Sequence, residues 1–138
     1  MSIEDDLSQP LPRDGRVLCG TPVTGCQLAE SECLALLAQH YPDQPYCLVK
    51  DWLLLDLQAP PEAVEMLKAQ GFKPRMVFAH CVVRDSQERF PVGGWVRTSF
   101  EANWDQANGV FQSCNTIYVL MGPGYRKTLP LVEVFSWC

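Results

Sequence analysis

The sequence lacks the segments that would direct a protein into a membrane or out of the cell. Residues 1–9 contain no basic cluster and no apolar core, so they do not have the pattern of a secretory signal. No apolar run approaches the roughly 20 residues that a membrane-spanning helix needs. We therefore expect a soluble, cytoplasmic protein with no membrane partner.

The sequence is also short of basic residues. It has 11 lysines and arginines against 16 aspartates and glutamates, which gives a formal net charge of -5 over 138 residues. An acidic balance disfavours binding to nucleic-acid phosphates or to anionic lipids. It suits a partner protein with a basic face, because long-range attraction then speeds association.

Cysteine is abundant, but no two cysteines have the short spacing that prepares a zinc site or a redox motif. The seven cysteines are Cys19, Cys26, Cys33, Cys47, Cys81, Cys114 and Cys138. In the cytoplasm a disulfide framework is not expected either. We interpret most of them as small buried hydrophobic residues and predict no metal and no cofactor. A thiol redox or metal sensor remains one alternative function.

The length and pattern of the chain predict one domain with two helices. Residues 1–14 have no periodic pattern and are interpreted as a flexible lead-in, which leaves residues 15–138 as the domain. The first helix is predicted to follow an N-cap at Thr24 and to end before Pro42. The second opens at Pro60 and Pro61 and ends near Gly71.

Alternating or continuous hydrophobic segments predict the strands. They are residues 17–19, 46–57, 76–84, 95–100, 109–120 and 131–137. The segment at 46–57 is nearly continuously apolar, which predicts a strand covered on both faces, and Lys50-Asp51 predicts a bend or bulge in it. Trp95 and Tyr118 lie on these segments and are expected to fill the core. Short polar connections favour an antiparallel meander, and residues 122–124 are interpreted as a tight turn. The order of segments indicates an α+β fold, in which two helices pack on a mainly antiparallel, twisted sheet of about five strands that curls towards a barrel.

A cysteine–histidine dyad is the one arrangement with catalytic potential. Cys26 is predicted near the start of the first helix, where the helix dipole lowers the pKa of a thiol. His80 is predicted on a later strand, and Asp85 or Asp51 would orient its ring. The order is compatible with a papain-like cysteine hydrolase or transferase, although residues 24–27 match no family signature. We keep this as the other alternative function, and we interpret His80 first as a half-exposed sheet residue.

Aromatic residues in predicted loops form a different candidate site. Trp104 stands beside Asp105, and Tyr125 stands beside Arg126 and Lys127. Exposed aromatic rings with adjacent charges have the composition of a binding hot spot. These five residues therefore predict a binding surface for another protein.

Several short segments are distinctive as a set. They are Arg-Phe at 89–90, Gly-Trp-Val-Arg-Thr-Ser at 94–99, Asn-Thr-Ile-Tyr-Val-Leu at 115–120, Gly-Pro-Gly at 122–124 and Arg-Lys at 126–127. Through them, residues 85–127 resemble a group of small, uncharacterised bacterial and prophage-encoded proteins. The resemblance implies a mobile-element context, in which small proteins often bind and block another protein. The function predicted first is therefore a non-enzymatic protein-binding module, an inhibitor or an accessory factor.

Overall fold

A single eight-stranded sheet is the main feature of the structure, a computed structural model that describes residues 16–136. Its strands are β1 (Thr21–Thr24), β2 (Tyr46–Gln58), β3 (Arg75–Asp85), β4 (Val96–Arg97), β5 (Asn103–Asp105), β6 (Val110–Gln112), β7 (Ile117–Leu120) and β8 (Pro123–Pro130). The helices in the same range are α1 (Glu30–His40), α2 (Pro61–Ala69) and α3 (Leu131–Phe135). The sheet curls into a half-barrel, and the helices are short.

The long strand β2 is the centre of the sheet, because three strands pair with it. β3 runs antiparallel along one edge. On the other edge, β7 pairs with the first part of β2 and β8 with the last part, both in parallel. β6 and β5 extend the sheet beyond β7, β1 extends it beyond β8, and β4 extends it beyond β3. The sheet therefore forks at β2.

The fork coincides with a bend in β2. Val49 and Trp52 belong to the same buried cluster, although side chains three residues apart on a regular strand face opposite sides. Asp51 lies between them with a φ of 53°, in the left-handed region. The bend at this residue reverses which side chains of β2 face the cluster. Hydrophobic side chains before the bend and after it therefore contact the same cluster. The sequence predicted a bend at Lys50-Asp51, and the structure agrees.

Both faces of β2 are buried, as its nearly continuous apolar sequence predicted. One face carries the largest cluster, which includes Trp52, Phe111 and Tyr118. On the other face, α1 covers one cluster with Cys33 and Leu37. Further along that face, α3 covers a second cluster with Val134. Helix α2 contributes no buried residue.

The Gly-Pro-Gly segment at 122–124 serves packing. Gly122 makes the turn between β7 and β8 with a φ of 70°. Gly124 lies on β8, where a Cβ atom would stand 2.3 Å from the indole ring of Trp52. The backbone can approach this buried ring only because the residue is glycine.

The predicted fold class is wrong. The described residues form mostly sheet, with eight strands rather than about five, and β2 has parallel partners, which a meander does not allow. The predicted strand at 109–120 is a hairpin of two strands, because Ser113 N–H bonds to the Thr116 carbonyl and closes a turn. The predicted last strand is largely helix α3, and residue 137 lies outside the described range.

Several element boundaries also differ. The first strand is Thr21–Thr24 rather than 17–19, so Thr24 is not a helix cap. Helix α1 begins at Glu30, where the Glu32 carboxylate accepts a hydrogen bond from the Ala29 N–H at 3.0 Å. The strand predicted at 95–100 is reduced to β4. Helix α2 begins at Pro61, the second of the two prolines predicted to open it, and Pro60 is its N-cap. The predicted lead-in, residues 1–14, lies outside the described residues.

Candidate functional site

Cys26 belongs to the sheet rather than to a helix. It forms a parallel bridge with Met121 and precedes α1 by a short connection. Its side chain is buried in the cluster under α1, where its sulfur lies 3.7 Å from the sulfur of Cys33. The thiol therefore does not stand in the first turn of a helix, which was the predicted reason for a low pKa.

The other two residues of the predicted catalytic set have partners elsewhere. The Nε2 atom of His80 lies 2.6 Å from the carbonyl oxygen of Arg16. Asp85 ends β3, and its carboxylate is buried. Within the described residues, no hydrogen bond joins Cys26, His80 and Asp85 to one another. The structure thus places the three in separate surroundings, and it offers no contact on which to propose cysteine catalysis.

Asp85 organises the loop that follows β3. Its oxygens accept hydrogen bonds from Arg89 Nη2 at 2.8 Å, from the Arg89 N–H at 2.6 Å and from the Phe90 N–H at 3.3 Å. Burial alone would raise the pKa of Asp85, but the hydrogen bonds outweigh it and hold the pKa below its ordinary value. Arg89 also donates to Thr116 Oγ1 at 3.0 Å, just before β7. The carboxylate therefore fixes the loop and is not available to a ligand.

A shallow cleft of about 390 Å³ opens beside this loop. It is lined by Val83, Arg84, Asp85, Glu88, Phe90, Pro91 and Val92. Its acidic groups are Asp85, which is committed to Arg89, and the exposed Glu88. The cleft lining contains no cysteine, serine or histidine that would act as a nucleophile or a general base.

Trp104 and Asp105, the first half of the predicted binding surface, lie on the edge strand β5. The Trp104 ring is half-buried and its centroid is 6.4 Å from that of Phe111. Its indole N–H is buried without a hydrogen-bond acceptor among the described residues. Asp105 accepts hydrogen bonds from the backbone and side chain of Asn108, which closes the turn before β6.

The second half of that surface lies on β8. Tyr125 packs into the cluster under α3, on the face of the sheet opposite to the cluster that holds Trp104. Arg126 donates two hydrogen bonds to Asp56, at 2.6 and 3.0 Å, and Lys127 donates to the Val17 carbonyl at 2.7 Å. Trp104 and Tyr125 are therefore on different faces of the sheet, and the two cations already have internal partners. Binding by these five residues stays a prediction.

Asp56 and Glu101 anchor a network of ion pairs between strands. Arg75 joins the two carboxylates, with Nε 2.9 Å from Asp56 and Nη1 2.7 Å from Glu101. Burial alone would raise the pKa of Asp56, but the bonds from Arg126 and Arg75 outweigh it and lower the pKa. The Glu101 side chain is fully buried, and its Oε2 atom, 3.8 Å from Lys73 Nζ, has no hydrogen-bond partner within residues 16–136. The network joins β2, β3 and β8 through Asp56, Arg75 and Arg126, and Arg75 also connects it to Glu101.

Trp95 is the most informative exposed residue. Its side chain is 54% exposed, yet its ring stacks on Phe78 with centroids 5.6 Å apart and planes 18° apart. Phe78 is itself buried in the cluster under α3. One face of the indole is therefore held in place while the other is open to solvent.

A second exposed aromatic ring is held in a similar way. Phe135 is 48% exposed, and the Arg97 guanidinium lies 5.2 Å above its ring. Trp95 and Arg97 point to the same side of β4, because Val96 between them points into the opposite cluster. Val132 is also largely exposed on α3. We call Trp95, Arg97, Val132 and Phe135 the aromatic surface.

The sequence analysis missed this surface because it assigned Trp95 to the core. Two signals were present. Gly93 and Gly94 directly precede Trp95, and Gly93 has a φ of 85°, so regular pairing starts only at Val96. Alternation along the strand could place only one of Trp95 and Val96 inside, and the structure buries Val96. Tyr118, by contrast, is buried as predicted.

Two buried ionisable groups, Cys47 and Tyr118, are poorly suited to chemistry at neutral pH. Burial raises the pKa of Cys47 and of Tyr118 to about 12 in each case. Of the six cysteines that the structure describes, three are buried, Cys81 is partly exposed, and Cys19 and Cys114 are exposed. Residues 16–136 contain no group of three or more His, Cys, Asp or Glu side chains placed to hold a metal ion. In the same range, no helix has the length and apolar character to cross a membrane.

Comparison with known protein families gives a match over most of the chain. A family model described as "Domain of unknown function (DUF6957)" matches residues 24–136. The match covers β2 to β8 and all three helices of the described range. No curated protein sequence and no solved structure matches.

Proposed function

The chain belongs to the family described as a domain of unknown function, DUF6957, and since that description names no activity, we propose that it is a protein-binding module. The observation that carries the proposal is Trp95, which is 54% exposed and yet fixed against Phe78. A rigid aromatic ring offers a large apolar area and loses little conformational entropy when it is covered. Such rings dominate the binding energy of protein interfaces.

The other members of the aromatic surface support the same use. Arg97 presents a cation that is already ordered by Phe135 and by the Val134 carbonyl, 3.4 Å from its Nη1 atom. Arginine and tryptophan are both enriched in hot spots. Val132 adds apolar area beside Phe135. The four residues together have the composition of the centre of an interface.

The partner that we propose is a protein with an apolar pocket for the Trp95 indole and a basic rim. The pocket follows from the size and shape of the ring. The basic rim follows from the net charge of -5, which attracts a basic protein over long distances. The resemblance of residues 85–127 to prophage-encoded proteins favours an inhibitor or accessory factor.

The surface predicted from the sequence remains a second candidate within the same function. Trp104, Asp105, Tyr125, Arg126 and Lys127 are all at least partly exposed. We rank this surface below the aromatic surface because its two rings, Trp104 and Tyr125, pack on opposite faces of the sheet.

Paired double variants test the proposal. A Trp95→Ala, Phe135→Ala variant should no longer capture the partner protein from an extract of cells that express the protein. Its affinity for that purified partner should fall on the order of 100-fold, because two hot-spot rings are removed. The matched Trp104→Ala, Tyr125→Ala variant should keep the affinity within about threefold. Circular dichroism shows whether each variant is folded.

The other outcomes each decide against part of the proposal. Equal binding by the wild type and the Trp95→Ala, Phe135→Ala variant would refute the aromatic surface. Loss of binding only in the matched variant would assign binding to the second surface. Failure of the wild type to retain any protein would refute the binding function. An association rate that does not fall with added salt would refute the basic rim.

A further inference from the structure

Two buried cysteines are in contact between α1 and the sheet. The sulfur atoms of Cys26 and Cys33 lie 3.7 Å apart in a cluster that also contains Leu37, Leu48 and Ile117. A disulfide bond joins sulfurs at about 2.0 Å, so the pair needs an approach of less than about 2 Å. Such an approach is within the reach of side-chain rotation.

The backbone holds both cysteines in place. The Cys26 N–H donates to the Leu120 carbonyl at 2.7 Å, and its carbonyl accepts from the Gly122 N–H at 2.8 Å. Cys33 lies in the first turns of α1, where its N–H bonds to the Ala29 carbonyl. The contact between the two sulfurs is therefore a property of the fold, since each cysteine is anchored to a different element.

We propose that Cys26 and Cys33 form an oxidation site, which hydrogen peroxide converts into an intramolecular disulfide. The Cys26 thiolate attacks one peroxide oxygen, the O–O bond breaks, and hydroxide leaves. The Cys33 sulfur then attacks the Cys26 sulfenic sulfur, an S–S bond forms, and the S–O bond breaks to release water. Overall, two thiols and one peroxide give one disulfide and two waters.

The environment sets the order of the two steps. Cys26 is 6% exposed, whereas Cys33 is 1% exposed. Burial, and then its hydrogen bond with Cys26, raise the pKa of Cys33 to about 12, so Cys33 is a poor initial nucleophile. Peroxide is small enough to reach a sulfur with little exposure. Cys26 is therefore the residue oxidised first, and Cys33 resolves the sulfenic acid.

Oxidation should restrict the motion of α1 relative to the sheet. Cys26 is bridged to Met121 beside β7, and Cys33 belongs to α1. A covalent bond between them fastens α1 to the sheet and limits local opening of the helix. This site is separate from the aromatic surface, which lies over the cluster under α3. Its test is therefore independent of the proposed binding function.

The experiment uses a background in which Cys19, Cys81, Cys114 and Cys138 are replaced by serine, so that Cys47 is the one cysteine left besides the pair. The folded protein is treated with hydrogen peroxide, unfolded, alkylated and digested for mass spectrometry. We expect the loss of two alkylatable thiols and a peptide pair joined through Cys26 and Cys33. Hydrogen exchange in α1 should slow in the oxidised protein.

Single substitutions check the order of the steps. With Cys33→Ser, Cys26 should accumulate as a sulfenic acid that dimedone labels. With Cys26→Ser, Cys33 should stay reduced at the same peroxide dose. Full alkylation of both thiols after peroxide would overturn the proposal. Disulfide formation at the same rate in urea-unfolded protein would also overturn it, because the fold would then contribute nothing.

Discussion

At the scale of single residues, two tryptophans on the same face of the sheet differ in how their polar atoms are satisfied. Trp52 is fully buried, and its indole N–H donates to the Met121 carbonyl at 3.2 Å. Trp104 packs against the same cluster, but its indole N–H has no acceptor among the described residues. A buried donor without a partner costs free energy, whereas a satisfied donor does not.

The same substitution should therefore have different effects at the two positions. Trp52→Phe should lower the free energy of unfolding by about 2–3 kcal/mol, because it removes a hydrogen bond and leaves a cavity. Trp104→Phe should lower it by less than about 1 kcal/mol, or raise it, because the unpaired donor disappears. Urea denaturation of both variants measures the difference. Equal losses would show that the Trp104 N–H has a partner in solution.

At the scale of elements, the two longer helices differ in how they are held. Helix α1 buries Cys33 and Leu37 against the sheet. Helix α2 buries no residue, and Met66 on its surface is 65% exposed. The sequence predicted that both helices pack on the sheet, and this is wrong for α2. Ala63, Val64 and Leu67 on this helix are only half-buried.

Truncation of one side chain on each helix should show this difference. Leu37→Ala should lower the free energy of unfolding by about 2–5 kcal/mol, because it leaves a cavity under α1. Met66→Ala should change it by less than about 0.5 kcal/mol, as for an exposed position. Thermal or urea unfolding measures both. A large loss for Met66→Ala would place α2 against a surface that it does not contact in this structure.

At the scale of the whole molecule, two carboxylates hold separate parts of the sheet together. Asp56 joins Arg75 on β3 and Arg126 on β8. Asp85 joins the loop after β3 through Arg89, which reaches Thr116. In each case burial would raise the pKa, and the hydrogen bonds from arginine lower it further than burial raises it. Both groups therefore favour the folded state when ionised.

These lowered pKa values predict acid sensitivity. Since both pKa values are lower in the folded state, the unfolded state binds more protons below the ordinary carboxyl pKa of about 4. The stabilisation is complete above that pH and is lost as the pH falls through the folded pKa values. Urea midpoints measured across the acid range should decrease in this direction.

A charge-matched pair of variants isolates the contribution of Asp85. Asp85→Asn should reduce the acid-dependent part of the stability, because the titrating group is gone. Glu88→Gln, an exposed position in the same loop, should leave the pH dependence unchanged. Identical pH curves for Asp85→Asn and the wild type would refute the assignment.

Local pattern was enough to predict some elements. Strand β2 was predicted at 46–57 and is observed at Tyr46–Gln58, because an unbroken apolar run requires burial on both faces. Helix α2 was predicted from Pro61 and Gly71, whose backbone preferences do not depend on distant residues. The acidic charge, the abundance of cysteine and the bend at Lys50-Asp51 are likewise properties of the sequence alone.

Tertiary structure decided the rest. The residues at 131–135 have hydrophobic content that suits either a strand or a helix, and packing of Val134 beneath the end of β8 favours the helix. The parallel pairing of β7 and β8 with β2 joins residues far apart in the sequence. The exposure of Trp95 and the contact between Cys26 and Cys33 depend on the same long-range pairing. Periodicity reports which side chains share a face, but only the assembled sheet determines what covers that face.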